Sequence, residues 1–204
     1  MKYPFADAAT VFEGNRKTFS ELAKTEHPFD EDFPNRLPAC NAYDFDLVTR
    51  RVCAYRSSKG TRLLCSADAL VILSSEQSTE DGNDKTLYCF IEFKNQKVEN
   101  IQSLKDSDDN TLQVKAFDSL SVCAMTFARN VSMAELQQKS IFVVVYPRQN
   151  YSERFLASLG ELSAENGTMR PLWKLDKLQD AGFFRKVYTV SDEEFNRLSI
   201  LNVG

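Results

Sequence analysis

Two apolar stretches decide the fold. They are Leu63-Leu64-Cys65-Ser66-Ala67-Asp68-Ala69-Leu70-Val71-Ile72-Leu73 and Leu87-Tyr88-Cys89-Phe90-Ile91-Glu92-Phe93-Lys94-Asn95. The second carries apolar side chains on both faces, as expected of a strand in a sheet covered on both sides. Residues 74–86 (SSEQSTEDGNDKT) between them are polar with a turn signal at Asp81-Gly82, so they read as a long loop or hairpin tip. Charged residues interrupt both runs. Glu92 and Lys94 stand two apart, project from one face of a strand and lie roughly 6.5 Å apart along the chain. If the two runs pair as a hairpin, Asp68 reaches that same face.

Working outward, residues 8–24 read as a helix anchored by Phe12, Phe19 and Leu22, weakened by Gly14. Residues 25–41, with Pro28, Pro34 and Pro38, read as a loop. Three β-like runs follow, Tyr43–Val48, Val52–Arg56 and Arg62–Leu73. After a polar linker, Leu112, Ala116, Leu120, Cys123 and Phe127 fall at helical spacing, which predicts a helix over 112–128 with a core-facing stripe. Ile141–Tyr146 (IFVVVY) predicts a central strand. Residues 152–163 predict a helix and Trp173–Leu175 a short strand. Lys186–Val190 predicts another strand, followed by a capping box at Ser191–Glu194 that opens a last helix. The expected class is α/β: a mixed central sheet flanked by helices, in the order helix, β-meander, helix, strand, with α/β additions. The expected organisation is one domain over 1–204, with a core at 8–146 and residues 147–204 packed on it as an extension.

Composition narrows the function classes. The chain has 204 residues, 43% of them hydrophobic and 26% charged, enough to bury a core without disulfides. Aromatics are plentiful and no heptad is sustained, which excludes disorder and coiled coil. Five cysteines without C-x-x-C spacing and a lone His27 argue against zinc. No Gly-rich phosphate loop and no G-x-S-x-G elbow are present. No apolar run approaches the ~20 residues that span a bilayer. The opening residues lack the apolar core of a secretory signal, so a cytoplasmic location is expected and membrane association is not. A net charge of -4 disfavours a protein that binds nucleic acid over its whole surface.

Asp68, Glu92 and Lys94 suit phosphodiester hydrolysis. Two carboxylates hold a hard cation such as Mg²⁺ or Mn²⁺. The cation acidifies its bound water and offsets charge on the transition state. An ammonium beside it orients the attacking water or stabilises developing negative charge.

The pattern Ser66-Ala67-Asp68-Ala69-Leu70-Val71-Ile72, then Phe90-Ile91-Glu92-Phe93-Lys94-Asn95, resembles the PD-(D/E)xK nuclease superfamily, with its restriction-endonuclease-like fold. The resemblance covers residues 8–146. Ala67 stands where the pattern has proline, and the interval from Asp68 to Glu92 is long for the motif. The resemblance implies that Asp68 and Glu92 bind Mg²⁺ or Mn²⁺, that the backbone carbonyl of Phe93 completes the metal shell, and that Lys94 serves the attacking water. It also implies a supporting polar residue on the following helix, Gln113 or Lys115, with Gln113 the catalytic choice. An acid on the first helix, Glu21 in preference to Glu13, is a further auxiliary. The implied activity is DNA cleavage, and pairing into a homodimer to cut two strands would follow from the fold.

Other readings stand beside this one, among them a metal enzyme acting on a small phosphorylated substrate. Asp44 and Asp46 alternate with Tyr43, Phe45 and Leu47 as the polar face of a strand, and are the reserve metal acids. The chain as a whole could keep the nuclease fold without catalysis, as a protein-binding module in defence or toxin neutralisation, where an acidic surface welcomes a cationic protein partner. The enzyme reading requires a local basic patch despite the -4, with Lys94, Lys97, Lys105 and Lys115 nearest in sequence.

Overall fold

A computed structural model describes residues 7–24, 28, 30–56, 64–74, 86–95, 112–148 and 175–198. Its centre is a six-stranded mixed sheet in sequence order: β1 (Arg16–Thr18), β2 (Asn41–Asp44), β3 (Ala69–Leu73), β4 (Leu87–Phe93), β5 (Ser140–Tyr146) and β6 (Lys186–Ser191). The first four strands pair antiparallel as a meander. β5 and β6 then add in parallel, each after a helical crossover or an intervening segment. The two deciding stretches pair as expected, with Ala69 opposite Ile91 and Leu73 opposite Leu87.

Helices cover both faces. On one side α1 (Ala8–Phe12), α3 (Phe45–Arg56), α4 (Leu112–Met125), α5 (Met133–Gln138) and α6 (Asp176–Asp180) pack on Leu70, Tyr88, Phe90, Phe142 and Val144. On the other, α2 (Phe19–Leu22), a 3₁₀ turn at Phe33–Arg36 and α7 (Asp192–Phe195) pack on Ala69, Val71, Cys89, Ile91, Phe93 and Val145. The period of two along β3 and β4 thus sends alternate residues into two separate cores. All seven residues of β5 are buried, as the unbroken apolar run at 141–146 requires.

Several segments differ from the sequence reading. The helix over 8–24 is broken into α1, a 3₁₀ turn at Glu13–Asn15, β1 and α2. Thr18 and Glu21 form a capping box that restarts the chain as helix at Phe19, which leaves Arg16–Thr18 to pair with β2. The β-like runs at 43–48 and 52–56 are β2 followed by one helix. Phe45, Val48, Thr49, Val52 and Cys53 are buried at i, i+3, i+4, i+7 and i+8, a helical stripe that outweighs the strand preference of two valines. Asp44 starts that helix by accepting a hydrogen bond from the Leu47 N–H (3.0 Å). The 112–128 helix ends at Met125 with its apolar stripe buried, and the Ser191–Glu194 capping box is present. The predicted helix at 152–163 and His27 lie outside the described residues, as do Trp173 and Lys174 of the predicted strand.

The ends of the sheet's strands are tied together by polar contacts. Arg36 bridges Asp30 (2.5 Å) and the buried Asp192 (2.5 Å), and Asp192 also accepts from the Arg148 N–H (3.1 Å). Asn95, buried just beyond β4, pairs its side chain with both the N–H (2.9 Å) and the carbonyl (2.8 Å) of Asp30. The residues following β4, β5 and β6 are therefore held against one loop. Among the described residues no helix is long and apolar enough to cross a membrane.

Candidate active site

β3 and β4 separate at Asp68. Within β4, even-numbered residues bond toward β5: Tyr88 N–H donates to the Lys139 carbonyl (2.8 Å) and Lys94 N–H to the Val145 carbonyl (2.8 Å). Odd-numbered residues bond toward β3, and the last regular pair is Ala69 with Ile91. The next would join Phe93 to Ala67. Both of its hydrogen bonds are diverted instead. Phe93 N–H donates to the Asp68 carboxylate (Oδ2, 2.7 Å), and Ala67 N–H donates to the Ser119 hydroxyl on α4 (2.9 Å). A second α4 residue, Asp118, accepts from the Cys65 N–H (2.9 Å). Helix α4 thereby draws residues 65–67 off the sheet edge and leaves the Phe93 carbonyl without its ladder donor.

Extending the register by one step sets Asp68 opposite Glu92, both on the face covered by α3 and α4. Glu92 is 1% exposed, and its carboxylate is enclosed by two ammonium groups. Lys115 donates to both Glu92 oxygens (2.8 and 2.9 Å), and Lys94 lies 2.5 Å from Oε1. Lys115 Nζ is also 3.7 Å from Asp68 Oδ1. The structure therefore brings Asp68, Glu92, Lys94 and Lys115 into one group.

Electrostatics separates the two acids. Burial, then the Glu92 charge, push the Asp68 carboxyl up to about 7, against the pull of Lys115 and Lys94. Burial also opposes ionisation of Glu92, but Lys115 and Lys94 outweigh it and hold that carboxyl below its ordinary value. Burial likewise works against the charge on Lys115, yet Glu92 and Asp68 dominate and raise its pKa. Lys115 is a fixed positive charge, unsuited to act as a base. At neutral pH one acid is ionised and the other is poised between states.

The other expected residues fall in different places. Gln113 is half-buried on α4 but makes no hydrogen bond to Asp68, Glu92 or Lys94. It lies two residues from Lys115, hence about 200° around the helix. The catalytic expectation for Gln113 is thus met by no contact, and its neighbour Lys115 occupies the position. Glu21 lines a cleft of about 330 Å³ that opens on Asp68, but its carboxylate is engaged in the Thr18 capping box. Glu13 pairs with Arg16 and Tyr43 away from that cleft. Asp44 is committed to the α3 N-terminus and to Lys17 (2.6 Å). Asp46 stands in the first turn of α3, accepts from Ser66 Oγ (3.0 Å) and has its pKa raised by burial.

The cations along the cleft come from elements far away in sequence, and they alternate there with Glu21, Asp44, Asp46 and Asp68. Lys17, Lys24 and Arg50 line the cleft beside Asp46 and Asp68. Lys97 and Lys105 lie outside the described residues. Sequence reading missed Arg50 because it placed residues 43–56 in strands, which hides the i, i+4 alignment of Asp46 and Arg50 on one helix face. It missed Lys17 and Lys24 because nothing local links residues 8–24 to Asp68.

The donor set is hard oxygen: the carboxylates of Asp68 and Glu92 and the Phe93 carbonyl released from the ladder. Oxygen donors of this kind are what Mg²⁺ and Mn²⁺ take. Here both Glu92 oxygens already accept from Lys115, Oε1 also faces Lys94, and Asp68 Oδ2 accepts from the Phe93 N–H. The described residues contain no group of three or more His, Cys, Asp or Glu side chains able to hold a metal, so Asp46 does not complete a carboxylate cage. Burial raises the Cys89 thiol to about 12, which removes it as a nucleophile. No protein-family model, no curated protein and no solved structure matches the chain.

Proposed function

We propose that the protein is a Mg²⁺- or Mn²⁺-dependent nuclease with a restriction-endonuclease-like core of the PD-(D/E)xK type, hydrolysing phosphodiester bonds in DNA. The observation that supports it best is the strand separation at Asp68. Two carboxylates, a carbonyl without its ladder partner and two lysines converge there, beside a cleft of mixed charge that Lys24 and Arg50 line.

Asp68, Glu92 and the Phe93 carbonyl would hold the cation. When bound, it would acidify a water and neutralise charge on the phosphoryl oxygens. The protein's own groups do the rest. Lys17, Lys24 and Arg50 receive the phosphate backbone along the cleft. Lys94 turns from Glu92 toward the scissile phosphate to orient the attacking water. Lys115 stays on Glu92 and keeps it ionised. Because Asp68 and Glu92 are matched by two ammonium groups, a divalent ion makes the site net positive, which reconciles DNA binding with an overall charge of -4.

The test is cleavage of plasmid and branched DNA by purified protein with Mg²⁺ or Mn²⁺, alongside Lys94→Ala and Asp68→Asn. Wild-type cleavage lost by on the order of a hundredfold in either variant supports the proposal. Equal cleavage by all three, or none by any, refutes it. The self-neutralised ion cluster favours one rival, a module of this fold that binds a cationic protein without catalysis. That rival predicts a folded protein with no metal-dependent cleavage.

A further inference from the structure

A second cavity, about 300 Å³, adjoins the cleft and touches the same centre through Lys115. Asp46 and Arg50, one turn apart on α3, line both cavities and form the ridge between them. Lys115 lines the second cavity while holding the buried Glu92. Beyond these shared charged groups the wall is uncharged: Thr49, Cys53, Leu64 and Cys65, with Ser66 bonded to Asp46.

Thr49 is the anomaly. It is 2% exposed, and its hydroxyl is the buried side-chain polar atom without a hydrogen-bond partner among the described residues. A threonine inside a helix ordinarily donates to the carbonyl four residues back. For Thr49 that is Phe45, and the Thr49 hydroxyl does not make this bond. A buried hydroxyl left unmatched costs stability, which a group entering the cavity and bonding it would recover.

We infer that this cavity accepts a nucleobase of the strand being cut, adjacent to the scissile phosphate, with the Thr49 hydroxyl bonding the base edge. The inference rests on the nuclease reading for its substrate and extends it to a subsite. A planar ring needs apolar walls for its faces and a few in-plane polar groups for its edge. Leu64, Cys53 and Cys65 supply the walls, and Thr49, able both to donate and to accept, supplies the edge contact. A phosphate would find only Arg50 here, since Lys115 is committed to Glu92 and Asp46 stands beside it. The volume lies at the small end of ligand pockets, in keeping with one base and its sugar. The hydroxyl is shielded in the structure, so the contact requires Thr49 to change rotamer when the base enters.

Thr49→Val tests this with little risk to folding, because the hydroxyl has no protein partner to lose. The variant is expected to be at least as stable as wild type by urea denaturation. The probes are single-stranded oligonucleotides that carry 2-aminopurine, or an abasic residue, at successive positions around the cut. With wild type, one position shows a base-dependent fluorescence change on binding, and its abasic version binds and is cleaved about five- to tenfold less well. With Thr49→Val the intact and abasic substrates converge. Cleavage with no base-dependent position, or an equal abasic penalty in both proteins, overturns the subsite and leaves the nuclease reading standing. Base-dependent binding that Thr49→Val weakens, without any metal-dependent cleavage, supports the subsite and overturns the nuclease reading. Neither binding nor cleavage overturns both.

Discussion

Lys115→Met exposes how much of the site's order depends on a residue outside the E-x-K triplet. Methionine keeps the length and packing of the lysine stem while deleting its charge. Lys115 supplies two of the short contacts to Glu92 and the nearest cation to Asp68. Without it, two facing carboxylates share only Lys94, and one of them is 1% exposed. Removing one partner of a buried ion pair costs about 3–5 kcal/mol, because the remaining charge is left uncompensated. Lys115 and Asp68 retain some solvent contact (17% and 19% exposed side chains), so the lower end, about 3 kcal/mol, applies. For a chain of this size that is a fall in Tm of about 6–12 °C.

The loss also depends on pH in a definite direction. Asp68 titrates near 7, and removing Lys115 raises it further. At pH 8 wild type holds both acids ionised, so the variant suffers the whole penalty. At pH 5.5 Asp68 is protonated in both proteins, Lys94 alone suffices for Glu92, and the penalty shrinks to about 1 kcal/mol. The assay is urea denaturation of wild type, Lys115→Met and the charge-balanced Glu92→Gln/Lys115→Met at pH 5.5 and 8. The double variant is expected to recover most of the loss. Arg148→Met provides the reference for an exposed pair, with Glu193, worth about 0–1 kcal/mol. A Lys115→Met cost no larger than that reference at pH 8, or one that grows as pH falls, refutes the reasoning.

Three further outcomes follow from the same geometry. The folded pKa of Asp68 lies above its ordinary value of 3.8, so the folded state binds this proton more tightly than the unfolded chain does. Its contribution to stability is present below about pH 4 and is lost as pH rises through 7, and Asp68→Asn should abolish that part of the stability profile measured by urea denaturation. Stabilisation by Mg²⁺, read as a Tm shift, should accordingly grow from pH 6 to pH 8 as the ion takes over from the proton. Ser119→Ala removes the acceptor of the Ala67 N–H at a buried position and should cost about 1–3 kcal/mol. If that hydroxyl holds the strands apart, the variant should also need several-fold more Mn²⁺ for the same Tm gain, whereas an unchanged Mn²⁺ dependence would show that the separation persists without it.

How far the sequence disclosed this arrangement depends on the range over which each feature is encoded. The pairing of the two deciding stretches was legible because apolar alternation and a polar interval define a hairpin locally, and with it came the shared face of Asp68, Glu92 and Lys94. The apolar run at Ile141–Tyr146 and the stripe on α4 were legible for the same reason. The break of 8–24 was signalled locally too, by the Thr18-Phe19-Ser20-Glu21 capping box, but the apolar anchors at Phe12 and Phe19 masked it. At Phe45–Arg56 two β-branched valines spoke for strand while the i, i+3, i+4, i+7 burial pattern spoke for helix. That error hid Asp46, Thr49 and Arg50 as one working face.

The choice between Gln113 and Lys115 illustrates a limit of another kind. On a helical wheel the stripe of Leu112, Ala116, Leu120 and Cys123 is flanked by Gln113 on one side and by Lys115 with Ser119 on the other. Both flanks are polar, so hydrophobic periodicity assigns them equal standing. Which flank meets the strand separation depends on the direction in which α4 crosses the sheet, and that is set by contacts across the whole core. One local clue did distinguish them. Lys115 and Ser119 stand i, i+4, and Ser119 Oγ donates to the Lys115 carbonyl (2.6 Å) while accepting from Ala67 N–H. A serine at that spacing is able to hold its own helix and a neighbouring strand at once, whereas the residue four beyond Gln113 is Phe117, which packs edge-on against Phe183. The Lys115 flank thus carries both the cation that fixes Glu92 and the hydroxyl that opens the sheet beside it. That makes the α4 face, rather than the E-x-K triplet alone, the element on which the candidate site depends.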